Sequence, residues 1–143
     1  MAPSATGYSG TPLAKKLGIR DGSRLAAIGA EAAYPTWLAP LPPNVELLAE
    51  AGPATDIVHL FVTRREELEA ELARLRRILK PEAALWVSWP KKSAKVPTTV
   101  TEETIRELAL PLGWVDIKVC AVTAVWSGLK LVVRRALRQG RSG

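Results

Sequence analysis

The sequence predicts an α/β domain: an open, mostly parallel Rossmann-like sheet with helices on both faces and a C-terminal antiparallel hairpin. Three features carry this. The runs SRLAAIGA (23–30), DIVHLFV (56–62) and ALWVSW (84–89) are largely apolar rather than alternating, as in strands covered on both faces. Segments with helical spacing lie between them, and strands that alternate with helices assemble into parallel sheets with right-handed crossovers. Two final runs, WVDIKVCAV (114–122) and LKLVVRR (129–135), are separated only by TAVWSG, a connection suited to a hairpin.

The elements follow in order. Residues 1–10 are small and polar and are expected to form a mobile arm. Thr11-Pro12 suits a helix start, with Thr11 as N-cap and Pro12 in the first turn. Leu13 and Leu17 share its face, Lys15 and Lys16 suit its C-terminal half, and Gly18 stops it. Asp21-Gly22 reads as a turn into the first strand. Residues 31–43 carry four prolines, with room for one helical turn from Tyr34 to Leu38. VELLA (45–49) is a weaker second strand. The stretch 50–55 that follows is too short for a helical crossover. The second strand is therefore antiparallel, at the edge, or followed by a fully extended crossing.

After the third strand, Thr63 and Glu66 have the spacing of a capping box. Leu68, Leu72, Leu75 and Leu79 recur at helical spacing. Glu66, Glu67, Glu69 and Glu71 crowd the first half and Arg74, Arg76, Arg77 and Lys80 the second, an order that complements the helix dipole. Pro81 ends this helix. The fourth strand gives way to a polar loop, PKKSAKVPT (90–98). Thr99 or Thr101 then caps a helix that runs to about Leu110, before Pro111 and Gly113.

A chain of 143 residues suits one domain, here 11–135, between the arm at 1–10 and a basic tail at 136–143. With 48% hydrophobic residues and a mean hydropathy of +0.06, it can fill a core. No apolar run approaches the roughly 20 residues that cross a bilayer, and MAPSATGYSG has no apolar signal region, so no membrane partner is expected. Cys120 is the single cysteine, which excludes an internal disulfide and fits a reducing, cytoplasmic location. One histidine and one cysteine are too few for a His/Cys metal centre. The net charge is +6, and Arg134, Arg135, Arg138 and Arg141 carry much of the excess. Such a tail either touches nucleic acid or solubilises a frayed terminus.

In open α/β sheets, ligands sit beyond the carboxyl ends of the strands. That rule selects Gly29 and Glu31 after the first strand, Thr63, Arg64 and Arg65 after the third, and Ser88, Trp89, Lys91 and Lys92 after the fourth. Amides at a helix start, with arginines and lysines nearby, favour an anion. One expectation is therefore a crevice for a phosphate, carboxylate or nucleotide; the competing one is a solvated cationic rim. Trp86 and Trp114 read as core. Trp89 and Trp126 fall where strands meet loops, suited either to stacking on a base or to covering the sheet end or a dimer contact. The edge strand and final hairpin leave a homodimer open. His59 and Cys120 are mid-strand and read as packing residues, and Asp56 and Asp116 fall outside the crevice. No Ser/His/acid or Cys/His set is legible, so no catalytic residue is assigned.

Two resemblances add to this. From Asp56 to Arg135 the element order, with LRRILKPEAALWVS (75–88) at its centre, resembles the second half of class I S-adenosylmethionine-dependent methyltransferases, in which a helix ending in LKPGG feeds a buried strand and an antiparallel hairpin closes the sheet. LGIRDGSRLAAIGA (17–30) resembles that family's LGIRPGMRVLDIGAGTG stretch, which leads into the cofactor loop. The resemblance implies a cofactor crevice at the first strand's end, yet the functional half of the motif departs from the family. Its glycine-rich loop is replaced by Gly29-Ala30-Glu31-Ala32-Ala33, and the acid of its first strand by Ala26-Ala27. Glu50 is the only acid placed to take ribose hydroxyls, and the Asn-Pro-Pro-Tyr segment has no counterpart. GYSGTPLAKKLGI (7–19), HLFVTRREEL (59–68), LWVSWPKK (85–92) and KVCAVTAVWSGLKLVVRR (118–135) resemble a small bacterial family of unknown function. The missing glycine-rich loop and the absence of a legible catalytic set point to a non-catalytic binding or regulatory module that uses no cofactor. The alternatives are a methyltransferase with an atypical cofactor loop and a nucleic-acid-associated protein.

Overall fold

The computed structural model describes residues 11–140; the arm expected at 1–10, and Arg141 in the tail, lie outside the described residues. The elements are α1 (Leu13–Lys16), β1 (Arg24–Ile28), α2 (Tyr34–Leu38), β2 (Glu46–Leu48), β3 (Ile57–Phe61), α3 (Arg65–Ile78), β4 (Ala84–Pro90), α4 (Glu102–Ala109), β5 (Trp114–Ala121), β6 (Trp126–Val133) and α5 (Arg135–Gly140). The strands form one sheet in the order β2-β1-β3-β4-β6-β5. β1 is parallel to β2 and β3, β3 is parallel to β4, and β6 is antiparallel to both β4 and β5. This is the mostly parallel, Rossmann-like α/β sheet closed by a hairpin. Among the described residues, no helix is long and apolar enough to cross a membrane.

The register explains how the short link after β2 suffices. β2 is the edge strand and runs parallel to β1. Leu48, its last residue, lies level with Ala26 of β1, which pairs with Val58 of β3. Residues 49–56 therefore recover almost no height along the strand axis. They need only step sideways across two strand spacings, roughly 10 Å.

Alternate side chains feed two cores. On one face Val58, Leu60, Leu85, Val87, Leu129 and Leu131 pack with Leu68, Leu72 and Leu75 of α3 and Ile105 of α4. These three α3 leucines are fully buried, each stabilising the fold by roughly 1.5–3 kcal/mol relative to exposure. On the other face Leu25, Ile57, Phe61, Trp86 and Trp126 meet Leu13 of α1, Leu17 just after it, and Tyr34, Trp37 and Leu38 of α2.

The helix ends correct two local expectations. The Thr63–Glu66 capping box does not form: Arg64 is the N-cap residue of α3 and gives no side-chain cap. The Arg65 amide donates instead to Oγ1 of Thr99 at 2.7 Å. The Thr63 carbonyl accepts the Thr99 amide at 2.9 Å and the Thr98 hydroxyl at 2.7 Å. These long-range bonds hold Thr63 in the connection and place the capping oxygen on the loop from β4. Likewise Pro12, not Thr11, is the N-cap residue of α1. Of the two threonines before α4, Thr101 is the cap, in a reciprocal pair with Thr104. The hairpin turn is also tighter than TAVWSG suggests. The amides of Val122 and Thr123 both donate to the Trp126 carbonyl, so Trp126 and Ser127 already belong to β6. Residues 135–140, read as strand end and tail, form α5.

Candidate functional site

The carboxyl ends of β1, β3 and β4 converge where the sequence places a ligand. Gly29 leaves β1 with φ +75°, a left-handed conformation. A Cβ at Gly29 would lie 2.7 Å from the carbonyl oxygen of Phe61. The turn is therefore pressed against the end of β3, main chain to main chain. Gly29→Ala combines about 1–2 kcal/mol of left-handed strain with a contact that no rotamer relieves. Its urea unfolding curve is expected to show at least about 2 kcal/mol of lost stability. Wild-type stability in that variant would show that the turn is not pinned.

Beyond this turn, Trp126 donates its indole N–H to the Glu31 carboxylate at 2.9 Å. Beneath it lies a buried line of polar groups. The Tyr34 hydroxyl and His59 Nδ1 are 2.8 Å apart, and His59 Nε2 and Ser88 Oγ are 2.7 Å apart. His59 is fully buried, and burial pushes its pKa down to about 3, so the ring is neutral. Burial also lifts the Tyr34 phenol above its ordinary range. A neutral imidazole has one donor and one acceptor nitrogen, and two hydroxyls that can each give or take satisfy both. His59 stacks on Phe61 with ring centres 4.2 Å apart, while Tyr34 and Trp126 meet Phe61 edge-on. Aromatic rings thus fill the α2 side of the strand ends.

The other sequence-selected residues do not share a single crevice. Ser88 is a correction: it is fully buried in β4, its hydroxyl bonded to His59, because its alternation in the strand turns it into the core. Trp89 packs into the α3/α4 core and Trp126 into the α1/α2 core, the covering arrangement rather than open stacking faces. Arg65 pairs with Glu107 at 2.9 Å, and Arg64 with Glu66 at 3.5 Å. The amide of Lys91 donates to the Val125 carbonyl, and Lys92 is exposed on a short 3-10 turn, Lys92–Ala94. Glu50 is exposed in a bend after β2. Two small clefts flank the β1 turn. One, of about 300 Å³, lies between Ala27, Tyr34 and Leu48; the other, of about 330 Å³, lies between Gly29, Phe61, Glu67 and Glu71. A larger cleft of about 640 Å³ lies at the opposite, amino end of the parallel strands.

Sequence reasoning missed Tyr34, which lies in a proline-rich stretch without periodicity. Nothing in the chain spacing of Tyr34, His59 and Ser88 marks them as neighbours.

No protein-family model and no curated protein sequence matches the chain. Solved structures do. A SAM-dependent methyltransferase from Aquifex aeolicus superposes with a TM-score of 0.62 at 19% identity, over 84% of this chain and 87% of that one. The magnesium protoporphyrin IX methyltransferase of Synechocystis PCC 6803, solved with bound SAM, gives 0.59 at 13% identity, over 85% and 74%. The M1A22 tRNA methyltransferase TrmK of B. subtilis gives 0.56 at 13% identity, over 87% and 66%. The chain therefore has the fold of class I S-adenosylmethionine-dependent methyltransferases. At these identities the likeness concerns the fold alone.

Proposed function

We propose that this chain is a non-catalytic binding module built on the methyltransferase fold. The observation that carries the reading is the path of the main chain after β1. Glycines in a cofactor loop let a nucleotide ligand lie against backbone. Here Gly29 already abuts the Phe61 carbonyl, and the next four residues, Ala30 to Ala33, all carry a Cβ. The chemistry at these ends supports the same reading. Glu31 is held by Trp126, Arg65 by Glu107, and His59 is neutral and sealed beneath the surface. A general base must come within hydrogen-bonding reach of the proton it removes, and His59 has no such access. Arg64, beside Glu66, and Lys92 are exposed at the rim, where they suit a small anion without any cofactor.

Titration with S-adenosylmethionine and S-adenosylhomocysteine tests this. Neither is expected to release heat on binding or to raise the melting temperature. A bound cofactor at one hundred times its dissociation constant would add about 2.7 kcal/mol to stability. The second reading is a methyltransferase with an atypical cofactor loop. It is favoured by the fold likeness, including a relative solved with SAM, and by the cleft beside Gly29. A saturable stabilisation by S-adenosylmethionine would replace the first reading with the second.

A further inference from the structure

We propose that the cleft at the amino ends of the parallel strands binds the phosphoryl group of a small phosphorylated molecule, held by Lys130 and Arg20 with Lys118 at its border. This site lies at the far end of the strands from Gly29 and does not depend on what the carboxyl ends bind.

The argument starts from strand register. On the α1 face of the sheet, Trp86 of β4, Lys130 of β6 and Lys118 of β5 stand side by side, since Lys130 pairs with Trp86 across one ladder and with Lys118 across the next. Like charges directly opposite one another destabilise a sheet. Lys130 Nζ lies over the Trp86 ring, 6.0 Å from the ring centre. Trp86 donates its indole N–H to the Leu17 carbonyl at 3.0 Å, which fastens the segment after α1 over the same strands. That segment brings a further cation, Arg20, into the lining of the cleft. A Cβ at Gly18 would stand 3.8 Å from Lys130 Nζ, so the backbone there passes close beside the ammonium.

Among the described residues, no carboxylate lies within ion-pair distance of Lys130 or Arg20. Asp56, on the opposite wall, is already engaged: it takes Lys80 at 2.6 Å and the Arg24 amide at 2.8 Å. Burial, then Lys118 and Arg20, hold the Lys130 ammonium below the usual lysine range. All three influences act in one direction. An anion there would reverse the last two and repay part of the first.

The remaining walls narrow the ligand. Leu17, Ile57, Ala84 and Val132 contribute apolar surface beside the cations, and the cleft's 640 Å³ exceeds what a lone phosphate fills. Asp21 and Glu82 stand in the lining as well, which disfavours further negative charge away from Lys130. A monophosphate ester with a compact apolar group matches that distribution; a polyphosphate does not.

The test is calorimetric titration of the whole chain with inorganic phosphate and with phenyl phosphate, beside Lys130→Met and Arg20→Gln. Both probes are expected to bind saturably, phenyl phosphate the tighter. Each substitution is expected to weaken binding about ten-fold, the loss of one charge-assisted hydrogen bond. Lys130→Met is expected to keep or raise the melting temperature in phosphate-free buffer, since it relieves the Lys118–Lys130 repulsion. Arg20, on a loop, provides the same readout if the strand variant fails to fold. Absence of saturable binding, or equal affinity in Arg20→Gln and the parent, overturns the site. Phenyl phosphate binding no tighter than inorganic phosphate overturns the organic part of the ligand.

Discussion

Acidification from pH 7 to pH 5 is expected to remove about 2 kcal/mol of folding stability, and about 3 kcal/mol by pH 4, through His59 alone. In the folded chain burial pushes this imidazole down to about 3, against an ordinary value of 6.5. Below pH 6.5 the unfolded chain takes up a proton that the folded chain refuses. The stability is therefore complete above pH 6.5 and is lost progressively as the pH falls towards 3. Protonation would not break the bonds to Tyr34 and Ser88, because both hydroxyls can accept. It would place a charge with no counter-charge among Phe61, Trp86 and Tyr34. His59 is the single histidine of the chain, so no other imbalance of imidazole protons enters this window. Asp56 acts later. Burial pushes its carboxyl up, but Lys80 and the Arg24 amide together bring it below its ordinary 3.8, so its loss begins only at lower pH. Urea unfolding at pH 7, 6, 5 and 4 measures the slope, and His59→Gln is expected to flatten it. A profile in the parent that is level from pH 6.5 to 5 would refute the burial of a neutral ring.

Trp86→Ala is expected to remove a further large fraction of the 5–15 kcal/mol that typically stabilises a domain. Trp86 is wholly buried and faces Gly128, where an added Cβ would lie 3.3 Å from Cε3 of the indole. Truncation leaves a cavity between sheet and α1, at about 3–5 kcal/mol. It also leaves the Leu17 carbonyl without its donor, at about 1–3 kcal/mol. Trp86→Phe keeps most of the apolar contact and loses the donor, so it should fall between the two. Denaturant midpoints of the three proteins decide this; a loss below about 1 kcal/mol for Trp86→Ala would mean the face repacks.

Other features separate what is local from what is not. The strands of the sheet, the long helix α3 and the terminal hairpin are legible because each writes its burial into spacing: unbroken apolar runs, a 3.6-residue leucine period, and two strands joined by a few residues. The orientation of β2 is not legible, because it depends on the level at which Leu48 meets Ala26, a register between strands distant in the chain. The Thr63–Glu66 pair satisfies every local rule for a capping box and still fails, because Thr99 reaches the Arg65 amide from another loop.

The candidate site divides in the same way. Gly29, Glu31 and Trp126 can be selected one at a time by their places at strand ends. That Glu31 and Trp126 bond, and that Gly29 touches Phe61, are contacts between residues far apart in sequence. The row Trp86, Lys130, Lys118 leaves no trace in any single strand, since β5 and β6 each carry a single lysine.

The amino-acid order by itself determined the class of fold, the succession of helices and strands from α1 to β6 and the departure of the turn after β1 from a glycine-rich loop, because these depend on neighbours a few residues apart. Tertiary structure alone decided the direction of β2, the source of the α3 cap, the sealing of His59 between two hydroxyls and the opposition of two lysines over an open cleft. Those depend on pairing between distant segments, where burial and register, rather than local preference, set which groups meet.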